Sequence, residues 1–296
     1  MDIKILGNGN WGNALYSVIK QNCPTVSILK RGQTAAKADL VVLAIPTQSI
    51  RESLENISFG DKYKIIVNTT KGIEEFSHLL PFQIINKLYG NSINYFTLVG
   101  PSFAQEVVNK MPTLVNLAYT KKNSNDAKIS EIKNLFQTDL FRVKLTTNIE
   151  AVELSAAFKN IYAIACGLAQ GLGYGTNTRV KLLVLAIDEI ADLCKKLQWN
   201  VDSNATAGTV GDLILTCNST ESRNFTFGSL LAKYSVEEAL SKVNSTVEGF
   251  YSLNSVKHFE KQAKVNLPLA NFVFDVVKKN NPKKVKIKFE SFVGSI

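Results

Sequence analysis

The sequence has few of the residues that build metal centres or disulfide frameworks. Its 296 residues include four cysteines, Cys23, Cys166, Cys194 and Cys217, and no two of them form a CxxC pair. Widely separated cysteines disfavour a zinc site or a disulfide framework and favour free thiols in a reducing compartment. We therefore expect no metal site and four unpaired, mostly buried cysteines.

Histidine is also scarce, because the chain contains only His78 and His258, and neither lies in a recognisable motif. A histidine acid or base is therefore disfavoured, and both residues are expected to serve packing or the surface. No apolar run looks long enough to span a bilayer and no cleavable signal is evident, so membrane insertion is not expected. The Met1-Asp2 start, which runs directly into a strand, favours a cytoplasmic protein.

Acidic residues are outnumbered by basic ones, which gives a net charge of +9 and a pI near 9.2. Such an excess suits nucleic acid, a membrane surface or small anionic ligands. The basic residues are scattered until residues 278–288, KKNNPKKVKIK, which have only Phe289 at their edge as an aromatic. A nucleic-acid patch would interleave aromatics with the charges, so we predict that this tail is a solvated end.

A glycine motif stands at the start of the chain. An apolar strand at residues 3–6 is followed by GNGNWG at residues 7–12 and then by a helical pattern at residues 13–20. Gly7 allows a tight turn, Gly9 lets a pyrophosphate approach the backbone, and Gly12 lets helix and strand pack closely. In this strand–turn–helix context the motif predicts dinucleotide binding rather than an ordinary glycine turn.

The end of the second predicted strand, residues 25–29, bears on the choice of dinucleotide. NAD enzymes usually carry a carboxylate there, but this chain has Lys30, Arg31 and Gly32. A cation at this position can accept a 2′-phosphate, so the sequence favours NADP(H), with NAD(H) also usable. The alternative interpretation is a plain surface turn.

Five further strands are predicted at residues 39–45, 64–68, 95–99, 113–118 and 141–145. Ligands of open parallel sheets bind beyond the carboxyl ends of the strands. Lys71, which follows the strand at 64–68, and the turn at residues 100–104 are therefore expected on the cofactor side. Taken alone, Lys71 is as consistent with a surface lysine, and Ser102 with a helix cap.

From residue 147 onward the periodicity is almost wholly helical. We therefore predict an α/β chain, with a Rossmann-type doubly wound parallel sheet in residues 1–146 and an all-helical domain in residues 147–296. We expect the reaction in the cleft between the two domains.

The helical half centres on residues 148–177, a run that is apolar nearly all the way round and is predicted to be a buried helix. Lys159 lies within it. A buried lysine is costly unless it is paired or its pKa falls, and such lysines can carry proton chemistry near neutral pH. The alternative is that Lys159 extends its ammonium group to the surface.

Two polar segments interrupt the helical half. Asp212 lies between a glycine turn and an apolar run in residues 208–217, GTVGDLILTC, where a buried carboxylate could pair with a lysine. Ser222, Arg223 and Asn224 open a helix, where backbone N–H groups and an arginine favour a phosphate. The alternative is a Ser222 cap beside an exposed Arg223. Val247-Glu248-Gly249 is predicted to start another helix.

Taken together, the motifs resemble those of the NAD(P)-dependent glycerol-3-phosphate dehydrogenases. The blocks are GNGNWG at 7–12, NTTKGI at 68–73, GPSFAQE at 100–106, ELSAAFKNIYAIACG at 153–167, GDLILTC at 211–217, SRN at 222–224 and VEG at 247–249. They follow the family's order over nearly the whole chain. The resemblance implies interconversion of dihydroxyacetone phosphate and sn-glycerol 3-phosphate for phospholipid synthesis, a Rossmann-type domain followed by a helical one, and a homodimer.

The resemblance also assigns roles to individual residues. Lys159 matches the family's catalytic lysine, Lys71 the second lysine beside substrate and cofactor, and Asp212 the carboxylate near the catalytic lysine. Further substrate contacts are implied for Gly100, Ser102, Ser222, Arg223 and Asn224, and cofactor contacts for Gly7, Gly9, Asn10, Trp11, Gly12, Arg31, Lys71, Ala104, Arg223, Val247 and Glu248.

The chain departs from the family in two places. Few residues separate Arg31 from Asp39, whereas relatives usually carry a longer excursion, and the basic tail is unlike the family's ending. Alternative functions are a related lysine-using dehydrogenase of another hydroxy acid or phosphosugar, a non-catalytic NADP(H) sensor, or a nucleic-acid binder that uses the tail.

Overall fold

The computed structural model describes residues 1–30, 33, 35–55, 57–60, 64–120, 125–199, 201, 203–279 and 282–296. The chain divides into two compact units. Unit 1 comprises Met1–Lys71, Leu79–Glu153 and Val201–Gly211, and unit 2 comprises Gly72–His78, Leu154–Asn200 and Asp212–Ile296. The domain boundary predicted between residues 146 and 147 stays a prediction.

Unit 1 is built on a seven-stranded sheet with the order β2-β1-β4-β6-β7-β8-β9. Its strands are β1 (Ile3–Leu6), β2 (Ser27–Leu29), β4 (Leu40–Leu43), β6 (Ile65–Asn68), β7 (Asn94–Val99), β8 (Thr113–Tyr119) and β9 (Phe141–Thr146). All neighbours run parallel except β7 and β8, which are antiparallel. This sheet confirms the predicted Rossmann-type fold class.

The apolar strands in the middle of the sheet explain its parallel arrangement. All four residues of β4 are buried, as are all four of β6, because a parallel strand is covered on both faces. The helices of unit 1 are α1 (Asn10–Asn22), α2 (Ile50–Glu55), α3 (Pro81–Tyr89), α4 (Ala104–Val108) and α5 (Asp126–Phe136). A short 3-10 turn, Thr47–Ser49, precedes α2.

A second, two-stranded sheet was not predicted. It pairs β3 (Ala35–Ala38) with β5 (Ile57–Phe59) in parallel. The β3 sequence, AAKA, has neither the branched side chains nor the alternation that signals a strand. Its first strand, β3, lies in the segment between Arg31 and Asp39 that the sequence suggested was trimmed.

Unit 2 is helical, as predicted. Its helices are the end of α6 (Ile149–Gly171), α7 (Thr176–Lys196), α8 (Asp212–Asn218), α9 (Arg223–Leu230), α10 (Val236–Val243), α11 (Glu248–Ser252), α12 (Val256–Ala263), α13 (Pro268–Lys278) and α14 (Pro282–Ser295). The four cysteines are free, and all except Cys23 are buried, which agrees with the expectation.

Helix α6 corrects one expectation about membranes. It has 23 residues, and its most apolar 18-residue window has a mean hydropathy of 1.2, so by length and composition it could cross a bilayer, contrary to the expectation from the sequence. Its most apolar window is entirely buried within the protein, as is common for the core helix of a globular fold. Length and composition alone therefore do not make α6 a membrane span.

The basic tail is a second correction, because it is a folded helix rather than a solvated end. In α14, Val285 and Phe289 are almost completely buried. The Phe289 ring lies 4.9 Å from that of Tyr174 and 5.9 Å from that of Phe272. Lys284 and Lys286 of this helix are exposed, whereas Val285 and Phe289 belong to the core.

Candidate active site

The glycine turn after β1 has the geometry that the motif predicts. Gly7 has a φ of +111°, and a Cβ there would lie 2.3 Å from the carbonyl oxygen of Ala44. A Cβ on Gly12 would lie 2.0 Å from the carbonyl oxygen of Gly7. Neither position tolerates a side chain, so α1 starts immediately against the strand ends.

The space around Gly9 fits a dinucleotide pyrophosphate. A Cβ on Gly9 would meet no heavy atom within 4 Å, so its backbone faces open space directly before α1. The first turn of α1, which contains Asn10 and Trp11, has no acidic residue. Backbone N–H groups and the helix dipole at such an end favour an anion. Trp11 is held by a hydrogen bond from its Nε1 to Thr69 Oγ1 (3.0 Å).

Two other predicted cofactor positions follow from the sheet. Ala104 is the first residue of α4 and lies directly after the turn that ends β7. Arg31, on which the preference for NADP(H) depends, lies outside the residues that the structure describes. Its contribution therefore stays a prediction.

Lys71 and Ser102 converge on one backbone atom at the carboxyl ends of β6 and β7. Lys71 Nζ donates to the carbonyl oxygen of Gly100 (3.3 Å), and Ser102 Oγ donates to the same oxygen (3.0 Å). Lys71 is partly buried, which disfavours the alternative of an ordinary surface lysine. Unit 1 thus brings Lys71, Gly100 and Ser102 together.

Lys159 is buried and paired. Its Nζ lies 2.9 Å from Asp212 Oδ1, and the two side chains are only 6% and 2% exposed. The alternative in which Lys159 extends to the surface is therefore wrong. Asp212 is the first residue of α8.

Thr216 completes this centre, and sequence reasoning missed it. Its Oγ lies 2.6 Å from Lys159 Nζ, and its hydroxyl donates to the carbonyl oxygen of Asp212 (2.7 Å). Asp212 and Thr216 are four residues apart and therefore share one face of α8. The signal in the sequence was this spacing within DLILT, but the same spacing is common among buried threonines.

A π-helical turn, Ala207–Gly211, leads into Asp212, and Asn116 on β8 holds it. The Oδ1 atom of Asn116 accepts from the N–H of Gly208 (2.7 Å), and its Nδ2 donates to the carbonyl oxygen of Asn204 (2.6 Å). π-Helical turns occur frequently at functional sites. Asn116 is fully buried and gave no recognisable signal in the sequence.

The segment at residues 222–224 opens α9, as predicted. Ser222 is the N-cap and accepts from the N–H of Phe225 (3.3 Å). Asn224 is buried; its Nδ2 donates to Asn160 Oδ1 (3.0 Å) and its Oδ1 accepts from the N–H of Gly249 (2.8 Å). An amide has a second N–H, so these bonds leave Asn224 a donor for a ligand.

Arg223 and Glu248 form the charged part of this region of unit 2. Arg223 Nη1 donates to Ser245 Oγ (2.9 Å). Burial raises the pKa of Glu248 to about 7, and the charge of Arg223 opposes this shift. Glu248 Oε2 has no hydrogen-bond partner among the described residues. Val247 is the N-cap of α11, so Glu248 starts that helix.

Close helix packing brings α9 against α6. A Cβ on Gly167 would lie 1.9 Å from the carbonyl oxygen of Phe225, and one on Gly228 would lie 2.0 Å from that of Ile164. Glycine at both positions lets the two backbones touch. The contact sets the start of α9 beside the helix that carries Lys159.

The two histidines contact each other. The rings of His78 and His258 are stacked with centroids 4.7 Å apart, and His78 Nδ1 lies 3.0 Å from Ser255 Oγ. Burial and the neighbouring His78 lower the pKa of His258.

Comparison with known proteins identifies the family. The model for the NAD-dependent glycerol-3-phosphate dehydrogenase N-terminus matches residues 31–125, and the model for the C-terminus matches residues 148–288. The chain belongs to the NAD-dependent glycerol-3-phosphate dehydrogenase family. The glycine turn precedes the first matched residue, so its interpretation depends on its own geometry.

Relatives of this dehydrogenase family cover nearly the whole chain. Glycerol-3-phosphate dehydrogenase [NAD(P)+] of Staphylococcus haemolyticus is 33% identical over 328 residues, covering 97% of this chain and 96% of the relative. The protein of the same name from Staphylococcus carnosus is 35% identical over 260 residues, covering 85% of this chain and 76% of the relative. Both lie in the range where family membership is secure.

Solved structures of dehydrogenases share the fold. Glycerol-3-phosphate dehydrogenase of Coxiella burnetii superposes with a TM-score of 0.83 at 23% identity and covers 99% of this chain and 97% of its own. A D-mandelate dehydrogenase superposes less well, with a TM-score of 0.58 at 14% identity. These likenesses support the architecture.

Proposed function

We propose that this chain interconverts dihydroxyacetone phosphate and sn-glycerol 3-phosphate with NAD(P)H, and that it supplies glycerol 3-phosphate for glycerophospholipid synthesis. Family membership supports the reaction class, the phosphorylated triose substrate and the use of a nicotinamide dinucleotide. The single observation that carries the catalytic assignment is the buried Lys159–Asp212 ion pair at the centre of the helical unit.

The roles of this pair follow from the charge that develops during reduction. Bound NAD(P)H supplies the hydride, and negative charge grows on the carbonyl oxygen of the substrate. Lys159 carries a positive charge and a transferable proton, so it can stabilise that oxygen and protonate it. Asp212 and Thr216 hold the ammonium group of Lys159 in one orientation.

The other assigned residues bind and orient. Lys71 polarises the same carbonyl oxygen. Gly100 and Ser102 form the substrate side of the turn that follows β7. Ser222, Arg223 and Asn224 hold the substrate phosphate at the start of α9, where an arginine and backbone N–H groups favour an anion. Fixing the phosphate fixes the position of the ketone, which lowers the entropic part of the barrier.

The cofactor contacts divide between two regions. Gly7, Gly9, Asn10, Trp11 and Gly12 hold the pyrophosphate, and Lys71, Ala104, Arg223, Val247 and Glu248 provide the remaining contacts. Arg31 accepts the 2′-phosphate, so NADP(H) is favoured and NAD(H) is also used. The unpartnered oxygen of Glu248, buried near the charge of Arg223, supports a polar ligand contact there.

Cellular context completes the proposal. The enzyme is a cytoplasmic homodimer that neither inserts into membranes nor binds nucleic acid. Its four free cysteines suit a reducing compartment. The folded state of α14 supports a structural role for the basic tail.

The direct test follows NADPH absorbance after dihydroxyacetone phosphate is added, with the product identified as sn-glycerol 3-phosphate. We expect oxidation with this substrate, and slower oxidation with 2-keto acids and other phosphosugars. A different preferred substrate would favour a related lysine-using dehydrogenase. Tight NADPH binding without turnover of any of these compounds would favour a sensor.

A further inference from the structure

Glu153 is a buried carboxyl group at the centre of a hydrogen-bond network that no catalytic assignment uses. It lies on α6 and is 2% exposed. Its Oε1 accepts from Tyr95 Oη (2.5 Å) and from Asn68 Nδ2 (3.3 Å), and its Oε2 accepts from the N–H of Phe82 (2.9 Å). All these partners belong to unit 1.

Asn68 extends this network to the turn that presents Lys71. The Oδ1 atom of Asn68 accepts from the N–H of Thr70 (3.0 Å), and its Nδ2 also donates to the carbonyl oxygen of Thr70 (3.2 Å). The fully buried side-chain amide of Asn68 thereby fixes both the backbone N–H and the backbone carbonyl of Thr70. Lys71 is the next residue, so the position of Asn68 sets the direction in which Lys71 leaves the sheet.

Glu153 is therefore linked to the turn of Lys71 through a single intermediate residue. It accepts a hydrogen bond from Asn68, and Asn68 in turn holds Thr70, the residue directly before Lys71.

Burying the carboxyl group of Glu153 costs free energy that an apolar residue at the same position would not cost. Burial raises its pKa to about 7, although hydrogen bonds from Tyr95, Phe82, Thr97 and Asn68 lower it. Both carboxyl oxygens face donors, and a carboxylate can accept from all of them, whereas an amide cannot. An apolar side chain would avoid the desolvation cost but would leave the Asn68 amide without this acceptor.

We propose that Glu153 is a positioning residue for the reaction, which orients Lys71 through Asn68. The proposal rests on the proposed function, in particular on the role of Lys71 at the substrate carbonyl. It assigns Glu153 no contact with substrate or cofactor. Its effect on turnover is transmitted through Lys71.

Glu189 offers a matched control in unit 2. Like Glu153, it is a buried carboxyl that accepts from a tyrosine hydroxyl, Tyr162 (2.9 Å), and from backbone N–H groups at a helix start, here Leu269 and Ala270. Burial raises its pKa to about 7 as well. The contacts of Glu189 join α7 to α13 and to Tyr162 on α6. None of these partners belongs to the network around Asn68, so Glu189→Gln measures the general cost of neutralising such a group.

The experiment measures kcat and KM for dihydroxyacetone phosphate in wild type, Glu153→Gln, Lys71→Ala and the double variant, with Glu189→Gln alongside. We expect Glu153→Gln to lower kcat about tenfold, since small displacements of a catalytic group are costly. In the Lys71→Ala background the same substitution should change kcat less than about twofold, because the group it positions is already absent. Glu189→Gln should keep wild-type kcat.

Two results would overturn the proposal. Equal losses from Glu153→Gln with and without Lys71 would show that Glu153 does not act through it. Wild-type turnover by Glu153→Gln would show that it does not act at all. If Glu153→Gln does not fold, Asn68→Ala breaks the same link from its other end and must give the same pattern. Absence of turnover in the wild type would instead contradict the proposed function.

Discussion

The hydroxyl of Thr216 lies 2.6 Å from Lys159 Nζ and donates its own proton to the carbonyl oxygen of Asp212. This second bond turns an oxygen lone pair of Thr216 toward the ammonium group. Lys159 is therefore held from two sides, by the carboxylate of Asp212 and by a hydroxyl that can only accept from it. These two contacts fix the orientation of the Lys159 ammonium group.

Thr216→Val tests this orientation, because valine has nearly the same shape but no hydroxyl. We expect kcat to fall about 10- to 150-fold, because a hydrogen bond to a charged group contributes about 1.5–3 kcal/mol. The free energy of unfolding should fall by a similar or smaller amount. Steady-state NADPH oxidation and chemical denaturation measure the two quantities.

Thr209→Val is the control for Thr216→Val. Thr209 is also buried, and its hydroxyl also donates to the carbonyl oxygen four residues earlier, that of Ala205 (3.0 Å). Thr209→Val should lower the free energy of unfolding by an amount comparable to that of Thr216→Val, but it should leave kcat unchanged. Equal losses of kcat in both variants would mean that helix geometry, rather than the contact with Lys159, is responsible.

The glycine turn predicts opposite outcomes for two similar substitutions. Gly9→Ala places its Cβ in open space, so the protein should fold with a change in unfolding free energy of less than about 1 kcal/mol. Its affinity for NADPH, measured by fluorescence titration, should fall at least about tenfold because the methyl group occupies the path of the pyrophosphate. Gly12→Ala, whose Cβ would meet the carbonyl oxygen of Gly7, should lower stability severely. Unchanged NADPH affinity in Gly9→Ala would contradict the assigned pyrophosphate site.

Arg223 is predicted to act mainly in substrate binding. Arg223→Ala should raise the KM for dihydroxyacetone phosphate about 10- to 100-fold, because a charge-assisted hydrogen bond to a phosphate is lost. Arg179→Ala is the control, since Arg179 lies near the start of α7 and contacts Tyr174 and Thr176. An equal rise of KM in both variants would indicate a general effect of charge on the anionic substrate.

Three buried carboxyl groups predict how stability depends on pH. Burial raises the pKa values of Glu153, Glu189 and Glu248 from 4.5 to about 7, so between these values the folded state holds more protons than the unfolded state. The free energy of unfolding should therefore fall as pH rises from about 4.5 to 7 and level off above. Each group contributes on the order of 3 kcal/mol to this change.

Glu189→Gln isolates the share of one of these groups. Denaturant unfolding at several pH values should show a shallower fall between pH 4.5 and 7 than in the wild type. The carboxyls of Glu238 and Glu260, whose pKa values are lowered, act at lower pH and do not offset the trend. A stability that rises through this window would contradict the account of buried, proton-retaining carboxyls.

The parts of the fold that depend on residues close together in the sequence could be predicted. The β1–glycine–α1 unit follows from one continuous stretch, residues 3–22, and the buried parallel strands are continuous apolar runs. The weak strand β3 could not be predicted, because it depends on pairing with β5 and not on its own side chains. The fold of the tail was missed because Val285 and Phe289, four residues apart, are a short apolar signal among many lysines.

The site shows the same division. Lys159, Asp212 and the segment at 222–224 attract attention because a charge in an apolar helix or at a helix start is unusual. Thr216, Asn116 and Glu153 do not, because a buried threonine, asparagine or helical glutamate has the same appearance in a sequence whether or not it meets a partner. The long-range hydrogen-bond partners of these three residues are 28 to 92 residues away along the chain, so only the structure reveals them.

The most direct test of the account is the rate of NADPH oxidation by Lys159→Ala with dihydroxyacetone phosphate, beside Lys195→Ala as a control for an exposed lysine of unit 2. The account predicts that Lys159→Ala lowers kcat at least about a hundredfold, the typical contribution of a general acid, while Lys195→Ala retains the wild-type rate. Turnover by a folded Lys159→Ala at a rate near that of the wild type would contradict the account and would leave Lys71 as the next lysine to substitute.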